Sequence, residues 1–241
     1  MSHLHIITRR TLGSVAVAAS IVMAMTACAA GEGSAIAAPE TTEAAAEGFS
    51  SDTLNIDFAT YNPLSLIVRD QGYLESALGP DVTVTWIQSA GSNKANEALR
   101  AGAIDVGSTA GSAALLARSN GSPIHTIGIF SQPNWSAILV PASSPVTEVA
   151  QLKGKKIAAT KGTDPYFFLL QSLEEAGLTP ADVTIENLQH SDGKAALESG
   201  QVDAWAGLDP LLSTSVATAG SKIIYDNIDF NSYGFLNATE S

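Results

Sequence analysis

The sequence predicts an α/β protein with two lobes, each a mostly parallel sheet with helices on both faces. From about residue 53, short β-branched runs alternate with longer Ala- and Leu-rich segments, as in repeated βα units. The pattern starts again after residues 136–145, which indicates a second block of such units.

The first block is predicted to contain four strands and three helices. Residues 54–59 and 82–88 read as strands, and the helices that follow them end at Gly79-Pro80 and at Gly102. These two helices cover residues 65–78 and 94–101, and the block continues with a buried strand at 104–107, a helix at 112–119 and a strand at 123–130.

The second block opens with a strand at 135–140 and a short helix at 146–152. Three βα units and a last strand follow: strand 156–160, helix 165–177, strand 183–188, helix 193–200, strand 202–206, helix 210–220 and strand 222–225. Ligands of open α/β sheets bind beyond the carboxyl ends of the strands, so residues just after each strand are the candidates for function.

The first 28 residues have the pattern of a signal peptide. Arg9 and Arg10 precede an apolar stretch at 11–24, which is shorter than the ~20 residues that cross a bilayer. Met25-Thr26-Ala27-Cys28 resembles the lipobox of bacterial lipoproteins. We therefore expect export by the general or the twin-arginine route. We also expect lipidation at Cys28, with the protein anchored to the membrane facing outward or periplasmic.

Residues 29–52 contain almost no large apolar side chain and are predicted to form a flexible tether. Cleavage at Cys28 removes two of the 12 basic residues and none of the 24 acidic ones, so the remaining charge is 10 − 24 = −14. This charge argues against nucleic acid as a partner, because such binding needs a clustered basic face. We expect a monomer.

Three strand-to-helix junctions share one chemical character, with glycine for close approach and hydroxyls as donors. They are Ser89-Ala90-Gly91-Ser92-Asn93, Ser108-Thr109-Ala110-Gly111-Ser112 and Lys161-Gly162-Thr163-Asp164-Pro165. The first amides of a helix have no internal partner and bind anions. The same residues are also ordinary helix caps, so both interpretations stay open.

Asp164-Pro165 and Asp209-Pro210 both place an acidic cap before proline at the first helical position. Capping accounts for both, and the alternative is that one carboxylate faces the cleft and selects a ligand amine. His190 ends a strand and could reach the cleft, as a hydrogen-bonding residue more readily than as a base.

Aromatic residues near strand ends are candidates for the walls of a cleft. Tyr61 with Asn62 follows the first strand, and Trp135 and Trp205 lie beside polar loop residues. Flat apolar walls beside a few fixed polar groups suit an alkyl chain.

The sequence contains few motifs that indicate catalysis. Gly107-Ser108-Thr109-Ala110-Gly111 has the spacing of a nucleophile elbow, but Thr109 stands where serine is required. Cys28 is the only cysteine, and His125 and His190 are the only histidines beyond the leader, which do not make a usual zinc site. No dinucleotide or phosphate-loop motif is present. We expect no enzyme activity, no metal and no cofactor.

Several runs resemble the aliphatic sulfonate-binding proteins of ABC importers, which are grouped with taurine and nitrate binders. The runs are Asn120-Gly121-Ser122-Pro123-Ile124, Leu152-Lys153-Gly154-Lys155-Lys156-Ile157-Ala158, Lys161-Gly162-Thr163-Asp164-Pro165-Tyr166-Phe167-Phe168-Leu169-Leu170 and Asp203-Ala204-Trp205-Ala206-Gly207-Leu208-Asp209-Pro210. The resemblance covers about residues 55–238. It implies a two-lobed periplasmic-binding-protein-like type II fold that closes on its ligand and docks on a permease with its ATPase.

The resemblance also implies which residues bind. The loops around Gly91-Ser92, Thr109-Ala110-Gly111 and Gly162-Thr163 would hold the anion, and Trp135 and Trp205 would flank its organic tail. Leu208 departs from relatives that place an aromatic residue before Asp-Pro, which leaves the identity of the tail open.

The same resemblance divides the chain into lobe 1 at 53–135, lobe 2 at 136–228 and a return to lobe 1 at 229–241, with the crossing strand at 233–237. Family members continue with helices that complete lobe 1. The sequence contains none after the crossing strand, so we expect lobe 1 to expose apolar surface and to be less stable than that of a longer relative.

Rival functions remain at this point. The ligand could be taurine, nitrate or a thiamine-precursor pyrimidine instead of an alkanesulfonate. An enzyme on the same fold would need a cysteine and histidine set that the chain lacks, and an adhesin or sensor would have no permease beside it.

Overall fold

The computed structural model describes residues 48–240. The predicted leader, Cys28 and the first part of the tether lie outside these residues. Residues 48–52 are exposed and irregular, and residues 48–241 form one compact unit.

The described chain alternates strands and helices as its sequence predicts. The strands are β1 Thr53–Phe58, β2 Thr83–Gln88, β3 Val106–Ala110, β4 Ile124–Ser131, β5 Ser136–Val140, β6 Lys156–Ala159, β7 Thr184–Asn187, β8 Ala204–Leu208, β9 Lys222–Asp226 and β10 Gly234–Thr239. The α-helices are α1 Pro63–Asp70, α2 Tyr73–Leu78, α3 Ser92–Arg100, α4 Gly111–Ser119, α5 Asp164–Glu175, α6 His190–Glu198 and α7 Leu211–Ala219. Short 3₁₀ turns lie at Val149–Leu152, Pro180–Asp182 and Ile228–Phe230.

Two five-stranded sheets form the framework, in the orders β2-β1-β3-β10-β4 and β7-β6-β8-β5-β9. We call them, with their helices, lobe 1 and lobe 2. The first takes in residues 53–131 and then β10, which returns antiparallel between β3 and β4. The α/β, two-lobed fold class is confirmed.

Both sheets are mixed, but four of the five strands in each run in the same direction, as expected for mostly parallel sheets. In lobe 2, β5 pairs antiparallel with β8 and with β9, and in lobe 1 β10 is antiparallel to both neighbours. Each of these two strands follows a crossing between lobes that contains no α-helix. A parallel pairing needs a long crossover connection, which is usually a helix.

Several element boundaries differ from the sequence-based ones, and α6 begins at His190, three residues before its predicted start. The helix expected at 65–78 is two helices, because Gly72 takes a left-handed conformation at φ 61° between them. β3 and β8 run later than expected, to Ala110 and Leu208. Both are central strands whose pairing with two neighbours extends through small residues.

The apolar core is strongest in lobe 2. Ile157, Phe168, Leu169 and Leu173 are fully buried on one side of its sheet, and Trp205 and Leu197 are buried on the other. Lobe 1 exposes large apolar side chains, including Leu115, Ile127 and Ile129.

Among residues 48–240, no helix has the length and apolar character required to span a bilayer.

Candidate ligand-binding site

One carboxylate joins three separate segments at the boundary between the sheets. Asp164, the first residue of α5, is 2% exposed. Its Oδ1 accepts hydrogen bonds from Ser112 Oγ at 2.5 Å and Ser232 Oγ at 2.7 Å, and its Oδ2 accepts from Trp135 Nε1 at 2.7 Å and Ser232 N at 2.9 Å. We call Ser112, Trp135, Asp164 and Ser232 the hinge network, because Trp135 and Ser232 lie on the two segments that cross between lobes.

This arrangement corrects the capping interpretation of Asp164. The residue before α5 is Thr163, which makes no capping bond with its side chain, and the Asp164 carboxylate bonds to other elements instead of its own helix. All of its hydrogen bonds come from protein donors, and the carboxylate is buried.

An apolar cluster lies beside the hinge network and contains residues from both lobes. Tyr61 and Trp135 meet edge to face, with ring centroids 6.4 Å apart. The cluster, which we call the apolar wall, consists of Ala59, Tyr61, Ala110, Ala113, Trp135 and Leu208. The sequence predicts Tyr61 and Trp135 as walls of a cleft, whereas it does not indicate that Leu208 would join them.

The starts of α3 and α6 and the loop before α5 meet at a second place on the boundary between the sheets. The Cβ that an alanine would carry at position 91 would lie 3.1 Å from His190 Nε2, so the α3 and α6 ends are in close approach. A Cβ at Gly162 would lie 3.6 Å from Asn93 Cβ, which brings the loop before α5 to the same end of α3. We call residues 91–93, 162–163 and 190–192 the amide corner.

The amide corner contains main-chain donors without partners. Neither α3 nor α6 has a side-chain cap, and the amides of Ser92, Asn93, Ser191 and Asp192 have no acceptor among residues 48–240. Free amides at the positive ends of two helices suit a small anion. Thr163 is buried, and its Oγ1 is occupied by a 2.7 Å bond to Thr160 O.

The third expected anion loop differs from these two, because its main-chain amides already donate to other groups of the protein. Ala110 N donates to Ser92 Oγ, Gly111 N to Tyr233 O and Ser112 N to Ser232 Oγ. Thr109 is fully buried, and its Oγ1 accepts from Asn237 Nδ2 at 2.6 Å. The returning segment at 232–237 therefore covers this corner. The amides of Ala110 and Gly111 are paired and Thr109 is buried, which corrects the expectation that these residues offer donors to a ligand.

His190 is the buried titratable group of the amide corner. It is 3% exposed, and its Nδ1 lies 3.2 Å from Thr160 Oγ1. Desolvation lowers the pKa of His190 from 6.5 to about 4, so the ring is neutral at neutral pH. Its Nε2 is buried and has no hydrogen-bond partner among the described residues.

Three other candidates have structural roles. Asn62 donates to Ser108 Oγ and caps α1 through its Oδ1. Asp209 accepts from Ser213 N and Oγ in the first turn of α7, but Pro210 and not Asp209 occupies the cap position, which corrects the expected placing of proline at the first helical position. Trp205 is fully buried in the core of lobe 2 against Gly193, which corrects its expected place beside a ligand tail. Its side chain lies on the face of the sheet that α6 and α7 cover, where it packs with Leu197 and Leu212.

Sequence reasoning missed Asn93, Ser112 and Ser232 as participants. Asn93 and Ser112 belong to the quoted junctions, so their position at helix starts was a usable signal. Ser232 lies in an irregular segment 120 residues beyond Ser112, and no local pattern indicates that the two meet.

Known proteins share this fold and this arrangement of elements. The family described as NMT1/THI5 like matches residues 65–237. The chain belongs to this family.

Individual relatives narrow the comparison. A protein of Escherichia coli (strain K12) named for aliphatic sulfonate binding is 32% identical over 194 residues, which is 80% of this chain and 60% of that protein. A Bacillus subtilis (strain 168) protein with the same name is 34% identical over 175 residues, covering 70% of this chain and 52% of the relative. The chain thus spans about half to three-fifths of the length of these relatives.

Among solved structures, the alkanesulfonate-binding protein SsuA of Xanthomonas axonopodis pv. citri, bound to MOPS, has a TM-score of 0.74 and 29% identity. The match covers 79% of this chain and 66% of that one. All three of these relatives are named as sulfonate-binding proteins.

Proposed function

We propose that this protein is an extracytoplasmic solute-binding protein that captures a small organic anion, an aliphatic sulfonate, between its lobes. It delivers the ligand to an ABC permease and the associated ATPase. The observation that carries the proposal is the meeting of α3 from lobe 1 with α6 and the loop before α5 from lobe 2, each with unpaired amides.

A sulfonate suits this corner for electrostatic reasons. It is charged at every ordinary pH and has three acceptor oxygens, so converging amides can hold it without a lysine. The apolar wall lies next to the corner, because Ser92 at the start of α3 accepts from Ala110 N of the wall. We propose that the wall receives the organic tail, which agrees with the names of the relatives.

Closure follows from the division of the donors between lobes. Only an arrangement that brings α3 to α6 offers both sets of amides to one anion, so the ligand favours the closed state by its differential affinity. Because His190 stays neutral down to about pH 4, we expect nearly constant affinity from mild acid to neutral pH.

Isothermal titration calorimetry on the purified chain tests this function. Ethanesulfonate and propane-1-sulfonate should bind at one site with clear heat, and nitrate, sulfate and phosphate more weakly because they lack a tail for the apolar wall. Propylammonium, which has the same tail and the opposite charge, is the control and should give no heat. Absence of heat with every oxyanion would contradict the proposal.

We further propose that the protein is exported and lipidated at Cys28, and that it acts as a monomer. Metabolic labelling with a radioactive fatty acid should mark the protein in its native host, and Cys28→Ala should lose both the label and the membrane fraction. A labelled Cys28→Ala protein would contradict lipidation at this residue.

A further inference from the structure

The amide corner contains two buried acceptor atoms in addition to its free amides. A Cβ built on Gly91 would lie 3.1 Å from His190 Nε2 and 2.8 Å from Asn93 Oδ1, so both atoms front the same side of Gly91. Both are buried, and neither has a hydrogen-bond partner among residues 48–240. Buried polar atoms are rarely left unpaired, which marks this place as one where a bound group belongs.

The hydrogen-bond pattern of Thr160 decides which nitrogen of His190 carries the proton. Thr160 Oγ1 donates its single hydrogen to Leu188 O at 2.6 Å. Toward His190 Nδ1, at 3.2 Å, the same oxygen can therefore only accept, so Nδ1 is the protonated nitrogen. In the neutral ring Nε2 is then an acceptor with a free lone pair.

Burial keeps the ring in this neutral form. Desolvation is the cause that lowers the pKa of His190 to about 4, and no charged side chain is hydrogen-bonded to the ring. A neutral acceptor does not attract an oxyanion oxygen, and it gains a hydrogen bond only from an N–H or O–H group.

We propose that His190 Nε2 and Asn93 Oδ1 form an acceptor subsite that selects sulfonates carrying a hydroxyl or ammonium group near the anion. The free amides of α3 and α6 bind the sulfonate, and the two acceptors accept hydrogen bonds from the hydroxyl or ammonium group of the same ligand. The inference rests on the proposed function, and it makes His190 a specificity-determining residue. A purely alkyl tail leaves both acceptors unpaired.

Calorimetry with three ligands of nearly equal size tests the subsite. 2-Aminoethanesulfonate and 2-hydroxyethanesulfonate should bind about three- to tenfold more tightly than propane-1-sulfonate, the range of one added hydrogen bond. His190→Asn keeps a donor at the Nδ1 position for Thr160 and deletes the Nε2 acceptor, so it should abolish this preference. His125→Asn is the matched control on an exposed histidine and should retain it.

The outcomes separate the two proposals. Equal or tighter binding of propane-1-sulfonate by the unmodified protein would overturn the acceptor subsite and leave sulfonate binding intact. No heat with any of the three ligands would overturn both. If His190→Asn does not fold by circular dichroism, Asn93→Ala takes its place and should reduce the same preference.

A second readout needs no variant. Nitrogen-15 NMR of the unliganded protein should show His190 Nδ1 protonated and Nε2 bare at neutral pH. A protonated Nε2 would overturn the inference, because that nitrogen would then be a donor to the anion.

Discussion

The two ends of the boundary between the sheets differ in how their polar groups are satisfied. At the hinge network, the buried Asp164 carboxylate receives four hydrogen bonds from Ser112, Trp135 and Ser232. At the amide corner, His190 Nε2, Asn93 Oδ1 and the first amides of α3 and α6 have no partner among the described residues. Both ends include residues at helix starts, Ser112 and Asp164 at the first and Asn93 and His190 at the second.

The difference separates structure from binding capacity. A fully paired buried network stabilises the fold, and its loss leaves a charge without donors. An unpaired corner contributes little to stability and retains its donors and acceptors for a ligand. Changes at the hinge network should therefore reduce the free energy of unfolding, and changes at the amide corner should mainly reduce affinity.

The largest effect is expected from Asp164→Asn. The amide presents an NH₂ group to donors that need acceptors, so the free energy of unfolding should fall by about 4 kcal/mol. Urea unfolding followed by circular dichroism measures it. Asp209→Asn is the matched control in the other Asp-Pro pair, and because that carboxylate accepts only from its own helix the loss should be about 1 kcal/mol. Equal losses would contradict the assignment of Asp164 to a network between segments.

Lowering the pH should reduce the free energy of unfolding, because burial disfavours protonation of His190 in the folded state. The pKa of His190 is 6.5 when unfolded and about 4 when folded, so the unfolded chain binds the proton first as pH falls. Stability should therefore be unaffected above pH 6.5 and fall by up to about 3 kcal/mol between pH 6.5 and 4. Urea midpoints across this range should fall less steeply for His190→Asn than for the unmodified chain, and parallel slopes would contradict this source of acid sensitivity.

Trp135→Phe tests one donor of the hinge network. The ring still packs on Tyr61, but the bond from Nε1 to the Asp164 carboxylate is lost, at about 2 kcal/mol. Trp86→Phe removes an equivalent indole bond to Glu75 that is exposed to solvent, and its effect on the urea midpoint should be smaller. A larger loss from Trp86→Phe would contradict the role of burial in this comparison.

The smallest change in stability is expected from Gly91→Ala. Its φ of 168° is extended backbone that alanine adopts, and the methyl group meets only side-chain atoms, so the free energy of unfolding should fall by about 1 kcal/mol, the low end of the cost of overpacking. The new methyl would lie 3.1 Å from His190 Nε2 and 2.8 Å from Asn93 Oδ1, so sulfonate affinity should fall by about tenfold or more. Gly128→Ala, which meets no atom within 4 Å, should leave affinity unchanged in the same titration.

Local signals predicted most of the elements correctly. The strand at 156–160 and the helix at 165–177 are observed as β6 and α5 within two residues at each end. These predictions succeed because apolar period and helix-terminal residues act over a few positions. The same reasoning placed Gly91 and Gly162 at strand-to-helix junctions, as observed, whereas His190, expected at the end of a strand, begins α6.

Other predictions failed because they depend on distant partners. Gly111 and Ser112 look in sequence like Gly91 and Ser92, yet residues 232–233 cover only the first pair. Trp205 and Trp135 both lie near strand ends, and only the register of β8 turns Trp205 into the core.

The sequence by itself determined the two blocks of βα units and the helix starts at which donors and caps would lie. Tertiary structure alone decided which of these helix starts are covered by other segments. It also decided that Asp164 accepts hydrogen bonds from three other segments, whereas Asp209 accepts them only from its own helix. The physical reason is range: a helix or strand period is set by neighbouring residues, whereas a hydrogen bond between Ser112 and Ser232 depends on a crossing made 120 residues later.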